Sequence, residues 1–77
     1  MEKLSVGTAR VILARCLREE DSDGNVIWFL QDGEERLPVA WGSSVLPNVV
    51  LNTPAWGEYS GEEAAALHEC AGARVFV

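Results

Sequence analysis

Basic residues are scarce in this chain. Lys3 is the one lysine and five arginines are scattered, against twelve Asp and Glu, so the formal net charge is −6. Neutralising phosphate needs clustered Lys and Arg, which disfavours direct binding to nucleic acid or to an anionic membrane surface. Histidine occurs once, at His68, and cysteine twice, at Cys16 and Cys70. Two cysteines are too few for a disulfide-stapled secreted scaffold, and they show no metal-type spacing. No apolar run approaches the ~18–20 residues that span a bilayer. The Met1–Val6 stretch lacks the apolar core of a signal peptide. These absences lead us to expect a cytoplasmic protein with both thiols reduced.

What is present suffices for one compact fold. Of the 77 residues 48% are hydrophobic and three are Trp, which gives a small core bulky filling and argues against disorder. Repeats, low-complexity tracts and linkers are missing, so residues 1–77 read as a single domain.

The segment Thr8–Arg18 is ambiguous. Val11, Leu13 and Leu17 alternate as in a strand, while Ala9, Ile12, Leu13, Cys16 and Leu17 also follow helical spacing. The turn chemistry of Asp21-Ser22-Asp23-Gly24-Asn25, followed by the unbroken run Val26–Leu30, favours a strand and hence a hairpin. Val26–Leu30 has no polar member, which marks an inner strand or one covered on both faces. After a turn at Asp32-Gly33-Glu34-Glu35, Leu37, Val39 and Trp41 alternate in a third strand. Pro38 lacks an amide donor and places that strand at an edge or a bulge. A short fourth strand fits Val49–Leu51, with an irregular loop carrying Trp56 and Tyr59 after it.

Ser60-Gly61-Glu62-Glu63 has the pattern of a helix capping box. Ala64, Leu67, Cys70 and Ala71 form one helical face, Gly72 suits the C-terminal cap, and Arg74–Val77 reads as a last strand. The expected fold is therefore α+β: a small antiparallel sheet, made of a three-stranded meander plus one or two further strands, with one helix from the C-terminal half packed on it. The alternative is a small five-stranded barrel.

Catalytic and metal-binding patterns are thin. Asp21-Ser22-Asp23-Gly24-Asn25 has alternating oxygen ligands and Asp32 sits where a calcium loop places its last one, but such a loop wants its glycine two positions later and a bidentate Glu at the end, and the residues between are the most apolar in the chain. His68 and Cys70, two apart on a helix, point in different directions and cannot form a nucleophile and base. Ser43 and Ser44 follow a glycine without the strand-to-helix elbow of a serine hydrolase. We expect no enzyme, no cofactor and no bound metal.

Surfaces remain. Glu19, Glu20, Asp21 and Asp23 form one acidic turn and Glu34 and Glu35 belong to another, roughly 20 Å away along a six-residue strand. Trp56 and Tyr59 have the composition of a binding hot spot, or of a lid on the core. The expectation is a non-catalytic protein-binding module, an acidic inhibitor or adaptor occupying a basic, nucleic-acid-binding type of surface on a larger protein. Viral anti-defence proteins, antitoxins and immunity proteins share this gross composition. The competing expectation is a structural subunit that completes its core as a homodimer or larger homo-oligomer.

Overall fold

The computed structural model describes residues 3–69 and 73–74. The chain begins with a helix, α1 (Val6–Ala14). Ser5 has extended dihedrals and its Oγ accepts the Thr8 amide at 3.2 Å, satisfying one of the free donors of the first turn. Ala9 and Leu13 face inward and are fully buried.

Thr8–Arg18 is thus not one strand, and the fold has a helix more than expected. The apolar spacing of Ala9, Ile12 and Leu13 serves α1, and the strand that follows is the short β1 (Leu17–Glu20). It pairs with β2 (Asn25–Asp32) from Leu17 opposite Phe29 to Glu20 opposite Val26. Between them the Asp21 carboxylate accepts the amides of Asp23 at 2.8 Å and Asn25 at 2.9 Å, which closes the expected turn.

The meander continues through β3 (Glu35–Ser43), β4 (Asn48–Leu51) and β5 (Gly57–Ser60). Then come α2 (Gly61–Glu69) and a two-residue β6 (Ala73–Arg74), which runs parallel to β1. Five strands are antiparallel in one open sheet of order β5-β4-β3-β2-β1-β6. The end strands do not pair, which overturns the barrel alternative. As expected, Val26–Leu30 lies in an inner strand and Val49–Leu51 in the fourth. Tyr59 belongs to β5 and not to a loop.

Pro38 sits where its missing amide does least harm. Opposite the Trp28/Phe29 step the register slips, so that Trp28 faces Ala40 while Phe29 faces Pro38. The extra residue, Val39, is a bulge, one of the two placements its neighbour Pro38 allows in a sheet.

The capping box at Ser60 does not form. Gly61, the first residue of α2, is left-handed (φ 57°), where the residue after an N-cap would be helical, and no bond joins Ser60 Oγ to the Glu63 amide among the described residues. Glu63 instead approaches Lys3 Nζ at 3.5 Å. Cys70, Ala71, Gly72 and Val75–Val77 lie outside the described residues, as do the readings made of them.

One face of the sheet carries the core. Val26, Trp28, Val39, Ala40, Val49, Leu51 and Tyr59 pack there against Ala9 and Leu13 of α1 and Ala64 and Leu67 of α2. Alanines at the contact let α2 lie close to β4 and β5. Each fully buried Leu or Trp contributes about 1.5–3 kcal/mol of hydrophobic stabilisation. The Tyr59 hydroxyl donates to the Leu4 carbonyl at 2.6 Å and ties the segment before α1 to the far edge of the sheet. Among the described residues no element covers the opposite face, and no helix is long and apolar enough to cross a membrane.

Candidate protein-binding face

Side chains alternate along a strand, so residues between the core positions point to the open face. Strand pairing sets five of them in one row: Glu19 opposite Ile27, Ile27 opposite Trp41, Trp41 opposite Val50, and Val50 opposite Glu58. The row crosses β1 to β5 with a carboxylate at each end and three apolar side chains between. Four strand spacings make it about 19 Å long. Ile27 and Val50 are half-buried, and Trp41 at its centre is 39% exposed.

The Trp41 indole is the wall shared by two hollows. The first, of about 460 Å³, is lined by Glu19, Asp21, Ile27, Ser43 and Asn48 among others. The second, of about 550 Å³, is lined by Val50, Glu58, Ser60 and Asn48 among others. Asp21 is fixed in its turn: besides two amides it accepts the Asn25 side-chain Nδ2 at 3.0 Å. The Asn25 side-chain bond, aided by the backbone bonds, holds its carboxyl below the ordinary range and keeps it charged.

The remainder of this face is closed by an ion pair. Arg36 reaches Glu19 at 2.9 Å, and its guanidinium lies over the Phe29 ring at 4.5 Å from the centroid. Phe29 is consequently buried although it points away from the helices.

The structure divides the acidic residues expected to act together. Glu19 and Asp21 share the first hollow. Glu20 points to the helix side, where Arg18 holds it at 2.9 Å and Ser44 Oγ donates to it at 3.1 Å. The Arg18 bond, then the Ser44 bond, lowers its pKa. Asp23 is exposed on the first turn, and Glu34 and Glu35 stand at the far hairpin. Trp56 is 56% exposed in the loop before β5, whereas Tyr59 is core and offers no contact surface. Ile27, Trp41, Val50 and Glu58 were not singled out by sequence reading.

Groups with chemical potential are engaged elsewhere. His68 Nε2 donates to the Asn48 carbonyl at 3.0 Å, and its ring lies against Trp28 with centroids 5.2 Å apart. The buried Cys16 thiol bonds the Ile12 carbonyl at 3.4 Å, and burial pushes its pKa up. Arg18 Nε, Trp28 Nε1 and His68 Nδ1 are buried and have no hydrogen-bond partner among the described residues. No three His, Cys, Asp or Glu side chains gather to hold a metal among the described residues. Compared with known protein families, curated proteins and solved structures, the chain matches none.

Proposed function

We propose that this chain is a non-catalytic protein-binding module, an inhibitor or adaptor, and that it acts through the open face of its sheet on a basic surface of a larger protein. The observation that carries this reading is the row Glu19–Ile27–Trp41–Val50–Glu58 on a face with no described cover. A large aromatic at the centre, ringed by polar side chains, is the anatomy of an interface anchor. Both helices face away, so a partner can approach without disturbing the core. The acidic ends steer a basic partner toward the face and contribute more to encounter than to final affinity.

Site-specific photo-crosslinking tests this. A photoreactive residue at Val50, on the open face, should yield adducts with a larger protein in cells that carry the natural partner. The same residue at Glu62, exposed on α2, should yield none. Adducts from Glu62 alone, or from neither site, would sink the reading.

A further inference from the structure

The chemistry of the two hollows says more about the occupant. We infer that the open face takes an extended segment of a partner protein bearing two arginines, one entering the hollow on each side of Trp41. This rests on the protein-binding reading above and specifies what that face binds.

Charge supplies the first argument. Among the described residues neither the Asp21 carboxylate in the first hollow nor the Glu58 carboxylate in the second has a cationic group within 4.0 Å, although Lys3 Nζ bonds the Glu58 carbonyl at 3.1 Å, whereas Glu19 shares Arg36. Two carboxylates outside any ion pair among the described residues flank one aromatic wall. A guanidinium suits that combination, because its plane stacks on an indole while its edge donates to a carboxylate. The backbone around Asp21 already fixes one acceptor, so little ordering remains to be done on binding.

Geometry supplies the second. Two arginines four residues apart on an extended chain are about 13 Å apart, and their side chains cover the remaining distance to the ends of a row about 19 Å long. An apolar residue midway then lies on Trp41, between Ile27 and Val50.

A second copy of this chain is disfavoured by the same row. The row reads acid, apolar, aromatic, apolar, acid in either direction. Face-to-face stacking with the rows aligned, parallel or antiparallel, therefore sets acidic end on acidic end, and each copy adds a net charge of −6.

The probe is a blocked peptide, Arg-Ala-Leu-Ala-Arg, titrated into ¹⁵N-labelled full-length protein at low salt. Shifts should concentrate at Ile27, Trp41 (its indole N–H included), Ser43, Asn48, Val50 and Glu58. Replacing both arginines by citrulline, which keeps the shape and removes the charge, should abolish them. Asp21→Asn and Glu58→Gln should each weaken binding about two- to fivefold, the range for an exposed ion pair. Glu58→Gln spares the Asp21 turn, so a folding defect in the first variant does not decide the matter. Equal binding of the citrulline peptide, or shifts elsewhere on the protein, overturns the inference. If the arginine peptide fails while Val50 still cross-links to a larger protein, the arginine assignment falls and the binding module stands. If Val50 cross-links only to another copy of this chain, both fall.

Discussion

Gly42→Ala should be the most damaging single methyl that can be added to the sheet. A Cβ at Gly42 would stand 2.0 Å from the Asn48 carbonyl oxygen and 2.9 Å from its carbon. Both are backbone atoms of the neighbouring strand, so no side chain can turn aside. To reach ordinary contact the Asn48 peptide must retreat by about 1.4 Å. Two hydrogen bonds go with it: His68 Nε2 to the Asn48 carbonyl at 3.0 Å, and the Ser43 amide to Asn48 Oδ1 at 2.9 Å. Overpacking costs about 1–3 kcal/mol and each bond about 1 kcal/mol, so a loss of at least about 3 kcal/mol is expected. For a domain of this size that lowers the melting temperature by roughly 12–24 °C. Thermal and urea unfolding followed by circular dichroism measure it. Gly7→Ala is the control, because that Cβ has only Ser5 Oγ near it, at 4.0 Å, on an exposed position of α1. It should stabilise by about 0.5–1 kcal/mol through helix propensity. If Gly42→Ala melts within about 3 °C of the parent, the close approach of β3 to Asn48 is wrong, and with it the placement of His68.

Tyr59→Phe removes the hydroxyl that donates to the Leu4 carbonyl and should cost about 1 kcal/mol in urea unfolding, with the sheet otherwise intact. Glu20 has its pKa lowered on folding, by the Arg18 bond first. Its contribution is therefore complete above the ordinary carboxylate value and lost as pH falls through the lowered one. Glu20→Gln should cost less than about 1 kcal/mol at pH 7, since the pair is partly exposed, and should flatten the fall in stability between pH 5 and about pH 3. An unchanged acid limb would contradict the Arg18 pairing. In a Cys70→Ser background, Cys16 should react with a disulfide reagent at pH 8 at least about tenfold more slowly in native than in urea-unfolded protein, because burial disfavours its thiolate.

Most of the sheet was legible because its strands announce themselves in composition. Val26–Leu30 is apolar and β-branched, and Asp21–Asn25 has little use except as a turn. The first element was misread because two periodicities overlap in it. The true partner of β2 is Leu-Arg-Glu-Glu, a polar run that few patterns would name as a strand. It is acceptable there because Arg18 is held by Glu20 and lies 5.6 Å over the Trp28 ring, which buries a charged side chain without leaving it unpaired. The local signal for α1 is the N-cap at Ser5, which lies outside the segment whose two periodicities overlap.

The candidate site was hidden by one residue. Strict alternation puts Leu37, Val39 and Trp41 on the same face, which would make Trp41 another core side chain. The bulge at Val39 makes Val39 and Ala40 consecutive buried positions and sends Trp41 to the other side. A slip of one residue reverses every side chain beyond it, so Trp41 opposes Ile27 and Val50 and not the helices. Pro38 signalled that a bulge was permitted, yet its position depends on which residue of β2 it opposes, and only the paired structure sets that. The acidic residues followed the same logic. Glu19 and Glu20 look equivalent in the chain, but adjacent positions on β1 face opposite ways, so Glu19 enters the open face while Glu20 braces Arg18. Glu58 completes the row through four pairings across five strands, at a separation of thirty-nine residues from Glu19 that no local pattern can carry.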